Sequence, residues 1–415
     1  MTPRHIHIVG AGLAGLSAAV RLASRGLAVT VHEATNQAGG RCRSYYDSTL
    51  GMEIDNGNHL VLSGNKAALS YLDVIGARAG LAAPLSSSFP FIDLATGERW
   101  TVRANDGIVP WWILDPTRRV PGARLREYLA LAKLLRAKTG ATIGETISCS
   151  GPLYVRLIEP LLMSALNTEP RGGSAALGAA IIRETLAAGG RSYRPLIARN
   201  GLSKAFVEPA LQYVADHGGS VSFGRRLRQL TLDADRVTAL DFGDASIHLT
   251  SNDAVILAVP PTAAGSLVPE LPTPTEFRAI VNAHYRIDPP ERLAPMIGVV
   301  NGMAQWLFAF PRHLSVTVSA ADDLLDLSRE DLARRIWSEV AVIANLAGAM
   351  PAWQIVRERR ATFAAVPRED AKRPGAETEW ENLVLAGDWT QTGLPATIEG
   401  AIRSGAKAAA ILAPL

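Results

Sequence analysis

An α/β fold, with a dinucleotide-binding domain of parallel strands interleaved with a second, α+β domain, is predicted by three observations on this 415-residue chain. A strand, a glycine-rich turn and a helix open it. A second glycine pair, followed by arginines, comes soon after. An apolar strand ending in Gly-Asp, then a helix of small residues, closes it.

The opening stretch, residues 5–33, reads HIHIVGAGLAGLSAAVRLASRGLAVTVHE. Ile6, Ile8 and Val9 predict a short buried strand, Gly10, Gly12 and Gly15 form a Gly-x-Gly-x-x-Gly turn into a helix, and residues 28–31 predict the next strand. Gly10 permits the tight turn, Gly12 lets backbone come close to a pyrophosphate, and Gly15 lets the helix sit on the sheet. Free N–H groups at the helix start, around Leu13 and Ala14, attract the anion. Glu33, roughly 20 residues on, is placed to accept hydrogen bonds from a ribose. The unit reads as Rossmann-like, and by itself leaves NAD and FAD both open.

Two further segments decide between them. The first is Gly39-Gly40-Arg41-Cys42-Arg43-Ser44. The second, residues 383–409, reads LVLAGDWTQTGLPATIEGAIRSGAKAA: a buried strand ends at Gly387-Asp388, and a helix starts near Thr397. With the opening motif in front of them, these segments resemble the amine oxidase and phytoene desaturase superfamily of flavoproteins. The resemblance implies FAD as cofactor, with Gly39, Gly40 and Arg41, and Arg43 beside them, approaching its diphosphate. A planar guanidinium binds phosphate bidentately, which suits Arg41 to that place. The resemblance also implies that Asp388 contacts the ribityl or diphosphate part and that the helix start near Ile398 faces the flavin pyrimidine. A helix N-terminus there would stabilise the negative charge of the reduced flavin.

Between the terminal motifs, residues 200–216 predict a helix, opened by Asn200-Gly201-Leu202-Ser203 and broken by His217-Gly218-Gly219. Short strands follow at 220–223, 238–241, 246–249 and 254–259, stopped by Pro260-Pro261. The superfamily resemblance implies that this stretch returns to the FAD domain and that a backbone group near Leu227 contacts adenine. The expected FAD domain is therefore residues 1–83, 196–260 and 374–415, and the expected substrate domain residues 84–195 and 261–373.

Composition narrows the class. The chain is 48% hydrophobic, enough for a substantial core. Its 42 Lys and Arg nearly cancel 39 Asp and Glu, so no global field favours nucleic acid. Two cysteines, Cys42 and Cys149, exclude a multi-disulfide framework and fit a reducing cytoplasm. No uninterrupted apolar run reaches the ~18 residues of a membrane span, and no metal site is read.

The middle of the chain carries the clues to substrate. Residues 121–140, PGARLREYLALAKLLRAKTG, place Leu125, Tyr128, Leu129, Ala132 and Leu135 near one helical face, with Arg124, Arg126, Lys133, Arg136 and Lys138 around it. A basic amphipathic helix can lie on an anionic membrane surface, although an ordinary solvated helix has the same pattern. Upstream, Pro110-Trp111-Trp112-Ile113 offers indoles suited to a membrane interface, a hydrophobic gate or the core. Residues 306–310, WLFAF, read as a core strand or the wall of an apolar tunnel.

Residues 55–60, Asp-Asn-Gly-Asn-His-Leu, with PFIDL at 90–94 and PWWI at 110–113, resemble the bacterial squalene-associated flavoproteins. That resemblance implies reduction of hydroxysqualene, an apolar isoprenoid, to squalene by FADH2 with loss of water, in hopanoid synthesis. The scarce cysteines and the basic stretch at 121–140 point to an enzyme of the cytoplasm, held peripherally at the inner membrane. An allylic alcohol ionises only with proton donation, and a positioned acid contributes about 10²- to 10⁴-fold. His59 is the expected acid, following Asp55 and Asn58 in a segment expected beside the flavin, where Asn58 counts among the cofactor contacts. Asp55 is counted with His59 in the catalytic set, although Asp55 could equally cap a turn and His59 be a satisfied core histidine. Glu399, at the flavin-facing helix start, is either a rival acid or a structural charge. A phytoene-type desaturase, an amine oxidase and a non-catalytic prenyl-lipid carrier remain the alternatives.

Overall fold

The structure, a computed structural model, describes residues 5–82 and 87–414. The expected boundary at 83/84 lies outside the described residues.

β1 (His5–Val9) lies in the middle of a five-stranded parallel sheet whose order is Ser220–Ser222, β2 (Ala28–His32), β1, Asp253–Leu257, Leu383–Leu385. Ile6 stands beside Val29 on one side and Ala254 on the other, and all three are buried. Parallel strands covered on both faces need such apolar runs, which is why these segments were readable in sequence. α1 (Leu13–Ala23) leaves β1 through the glycine turn and packs on the C-terminal helix Ile398–Leu412. Their backbones touch: a Cβ on Gly405 would stand 2.0 Å from the Ala14 carbonyl oxygen, and Ser17 Oγ donates to the Ile402 carbonyl at 2.9 Å. The two ends of the chain are thereby fixed together.

The helix expected over 200–216 begins as a π-helical turn, Ser203–Val207, before the α-helix Glu208–Asp216. Pro209 has no N–H for the ladder, so the change of winding falls where the sequence puts it.

A second, seven-stranded sheet runs in the order Trp353–Phe363, Phe277–Tyr285, His313–Val318, Trp306–Phe310, Met296–Val300, Ser88–Asp93, Arg99–Arg103. Strand alternation sorts its faces. Val281, Ala283, Tyr285, Leu314 and Val316 pack with helix Arg329–Ala344 in one apolar cluster. Asn282, His284, Ser315, Thr317, Trp306 and Phe308, the alternate residues, project from the other face.

The helix expected over 121–140 is a correction. A 3-10 turn, Leu125–Tyr128, leads into an α-helix of only six residues, Leu129–Leu134. Gly122 (φ 75°) and Gly140 (φ 81°) bend the chain at either end, and Glu127 spends its carboxylate on the N–H groups of Arg124 and Leu153. The expected apolar face divides as well: Tyr128 is buried edge-on against Trp112, while Leu125, Leu129 and Ala132 are exposed.

Candidate active site

The glycine motif acts through main-chain geometry. Gly10 sits at φ 106°, and a Cβ there would stand 2.4 Å from the Ala258 carbonyl oxygen. A Cβ on Gly15 would stand 1.9 Å from the Gly10 carbonyl oxygen, so helix and turn require both glycines. Gly12 differs, because a Cβ there would meet no atom within 4 Å. That open space lies at the start of α1, whose N-cap is Gly12 with no side-chain cap and whose first turn holds no acid. The N–H groups around Leu13 and Ala14, and the positive end of the helix dipole, are left for an anion.

The second glycine pair closes against the first. Gly39 N–H donates to the Ala11 carbonyl at 2.8 Å, and a Cβ on Gly40 would come within 3.5 Å of Gly12 Cα. Glu33 ends β2 with its carboxylate on Ala11 N–H (2.9 Å) and Thr35 N–H (2.9 Å), across the turn where a ribose belongs. The loop carrying Leu227 runs beside it, through Arg225 N–H donating to the Glu33 carbonyl at 2.8 Å.

Arg41 reaches the other end of the chain. Its Nη2 contacts both oxygens of Asp388 at 2.7 Å, and Nη1 donates to the Ala361 carbonyl. Burial alone would lower the guanidinium's pKa, but the Asp388 charge and hydrogen bonds outweigh it and hold it above its ordinary value. His59 senses the same pair. Burial pushes its imidazole down to about 4, the Arg41 charge acts in the same direction, and Asp388 opposes. Arg41 and Asp388, far apart in sequence, are thus paired, and His59 lies close enough to feel both charges. Ile398 opens the C-terminal helix behind Thr397, whose side chain accepts from Gly400 N–H.

Three expected residues face elsewhere. Glu399 is 3% exposed, and its carboxylate binds Ala67 N–H (3.1 Å) and Ala68 N–H (2.8 Å) at the start of α2 (Lys66–Val74), with Arg403 at 3.0 Å. It caps a helix, the structural one of its two expected roles. Asp55 accepts from Ser44 Oγ (2.6 Å) and Leu202 N–H (2.9 Å), holding the start of the 203–216 helix, with burial raising its pKa. It serves as a turn cap. Asn58 turns its amide N–H groups to the seven-stranded sheet, donating to Ser315 Oγ (2.8 Å) and Thr317 Oγ1 (3.0 Å), while its buried Oδ1 has no partner among the described residues. Ser315 Oγ in turn meets His284 Nδ1 at 3.0 Å, and Thr317 Oγ1 donates to Asn282 at 2.8 Å.

One residue was missed. Arg373 is buried and donates to the carbonyls of Asp388 (3.2 Å), Trp389 (3.3 Å) and Thr390 (2.5 Å), to Thr392 Oγ1 (3.0 Å) and to Asp370 (2.9 Å). It holds the loop that presents Asp388. Nothing local marks it, since its partners are carbonyls brought near by the fold.

The uncapped helix start, the facing glycine turns and the open space at Gly12 fit a dinucleotide diphosphate. Residues 13–413 match the model of the flavin-containing amine oxidoreductases. The chain is 56% identical over 405 residues to a hydroxysqualene dehydroxylase of Rhodopseudomonas palustris, covering 97% of each protein. It is 54% identical over 407 residues to another of Sinorhizobium fredii, covering 98% of each. The chain belongs to the hydroxysqualene dehydroxylase family of these flavoproteins. A cyclohexylamine oxidase from Brevibacterium oxydans shares the fold, with TM-score 0.72 at 15% identity over 99% of this chain and 98% of that one. Membership of the hydroxysqualene dehydroxylase family makes FAD the cofactor and the chain an oxidoreductase. The residues able to hold FAD are the two glycine turns, the N–H groups around Leu13 and Ala14, Glu33, Arg41 and Asp388.

Proposed function

We propose that this chain reduces hydroxysqualene to squalene, with release of water, as a step of hopanoid synthesis. The identity of 54% and 56% to dehydroxylases over nearly the whole chain carries the reading. Bound and reduced, FAD supplies the hydride that takes the place of the departing oxygen. The protein must deliver a proton to that oxygen, since hydroxide is a poor leaving group. His59 is a titratable side chain close enough to Arg41 and Asp388 to feel both charges. With a pKa of about 4, only about one His59 in a thousand is protonated at pH 7, so the imidazole works as an acid only when negative charge brought beside it pushes it up. Phe310, half-buried and stacked on Phe308 and His313, gives the seven-stranded sheet an aromatic side suited to a polyene.

The cofactor unit is residues 1–83, 196–260 and 374–415, and the substrate unit residues 84–195 and 261–373. The two sheets support that division, because strands 88–93 and 277–318 join one sheet and strands 220–222, 253–257 and 383–385 join the other. Leu227 meets the adenine. The protein works in the cytoplasm against the inner membrane. Among the described residues no helix is long and apolar enough to cross it.

The test is product analysis with anaerobic, pre-reduced holoenzyme. Hydroxysqualene should yield squalene in step with flavin reoxidation. Desaturation of squalene or phytoene by the oxidised enzyme, with hydroxysqualene untouched, would replace this reading by the oxidative one.

A further inference from the structure

Six of the ten large apolar side chains that are exposed among the described residues lie within one short stretch: Ile108, Val109, Trp111, Leu114, Leu125 and Leu129. The two segments that carry them are joined, because Trp112 and Tyr128, both buried, pack edge-on at 5.8 Å. The loop at their centre is held by hydrogen bonds. Asn105, itself buried, donates to the carbonyls of Gly107 (3.1 Å) and Val109 (2.9 Å) and accepts from Trp112 N–H (3.3 Å). Exposed apolar patches of this kind mark interaction sites.

Charge identifies the partner. Residues 103–138 contain eight Lys and Arg against three Asp and Glu, a net of +5, although the whole chain carries only +3. The three acids are occupied: Asp106 by Arg194 at 2.9 Å, Asp115 by Thr117 N–H at 2.9 Å, and Glu127 by the N–H groups of Arg124 and Leu153. Apolar side chains at the tip with an excess of cations around them match the acyl and headgroup layers of an anionic bilayer. We infer that residues 107–114, with Leu125 and Leu129, form the surface by which the protein docks on an anionic lipid bilayer, the loop entering the interface and the arginines staying at the headgroups. This rests on the peripheral reading given above and assigns it a surface.

The experiment compares holoenzyme binding to vesicles of phosphatidylcholine with and without phosphatidylglycerol. The wild type should bind the anionic vesicles and release with salt. Ile108→Ser with Trp111→Ser should weaken that binding at least about tenfold by removing apolar insertion. Arg124→Glu with Arg126→Glu should do the same, since one cation near the surface is worth about fivefold. Flavin absorbance and turnover of detergent-dispersed hydroxysqualene should be unchanged in both variants. If the wild type binds and both variants bind equally well, this surface is wrong while the peripheral reading stands. If the wild type binds no vesicle, both fail. If the apolar variant instead turns a dimer into a monomer by sedimentation, the patch is an interface between copies, and the bilayer assignment is overturned.

Discussion

The parallel sheet around β1 and the seven-stranded sheet build their working surfaces from different parts of the chain. Around β1 the surface is main chain: Gly12 opens a space, Gly39 and Gly40 close on it, and N–H groups at the start of α1 face it. On the seven-stranded sheet the surface is side chain. Thr317 stands opposite Asn282 on one strand and Trp306 on another, and Asn58 joins them from a distant loop. Main-chain geometry must be written in consecutive residues, so it is visible as a motif. A side-chain surface can be spread across strands and becomes visible only with their register.

The largest effects that test this contrast come from two glycines of one motif. Gly15→Val would place a side chain where even a Cβ lies 1.9 Å from the Gly10 carbonyl oxygen, so the chain should fail to fold and appear in inclusion bodies. Gly12→Val meets no protein atom at its Cβ and should give a soluble apoprotein with the wild-type melting temperature. It should nevertheless weaken FAD binding at least about a hundredfold, because two or more charge-assisted N–H contacts are blocked. Flavin content and thermal melting of the two variants give the comparison. A yellow Gly12→Val protein would mean that the diphosphate does not lie at this turn.

His59→Ala addresses the boundary between the two surfaces. Dehydroxylation should slow at least about tenfold, a floor below the usual general-acid contribution, while FAD is retained. Because the imidazole must be protonated to act as the acid, the wild-type rate should rise as pH falls towards its pKa in the reduced holoenzyme, and this limb should vanish in the variant. A variant that keeps the full rate and the same pH profile would move the acid to another group.

The same contrast explains what was legible. The order β1–α1–β2, the second glycine pair, Arg41 and Asp388 could be read because each is set by neighbours in sequence. Asp55, Asn58 and Glu399 could be singled out but not oriented. Glu399 lies at a helix start, yet whether its carboxylate turns to the flavin or to α2 depends on where residues 67 and 68 arrive in space. Arg373 was invisible for the same reason. The helix at 121–140 was overextended because helical spacing is shared by a 3-10 turn and a short α-helix, and the glycines that stop it lie at the edges of the pattern.

Glu399→Gln measures that orientation directly. The carboxylate is buried and holds two N–H groups and Arg403, so losing its charge should cost about 1–3 kcal/mol of stability. Turnover per bound flavin should not change. Loss of turnover at an unchanged melting temperature would return Glu399 to the reaction and remove it from the structural set.

The smallest effect concerns acid stability, where both sheets bury neutral imidazoles. Burial pushes His7 and His32 in the parallel sheet down to about 4, and His313 and His284 in the other sheet down to about 4 and about 3. An unfolded imidazole takes up its proton near pH 6.5 and the folded ones only well below it, so their contribution is complete above about pH 6.5 and is lost as pH falls towards 4. Carboxylates held low in the fold, such as Glu276, join only below about pH 4.5, where their unfolded forms begin to protonate. Between those limits the imidazoles pull the melting temperature down, opposed by carboxylates that burial raises, such as Asp55. His284→Asn leaves an amide to meet Ser315 and should flatten the slope by at most about 1.4 kcal/mol per pH unit. Hydrogen exchange at acid and neutral pH would show where protection is lost. If His284→Asn leaves the slope unchanged while the strands beside His7 and His32 open first, the acid-sensitive element is the parallel sheet, where His7 Nδ1 and His32 Nε2 lie 3.1 Å apart and cannot both be charged without repulsion.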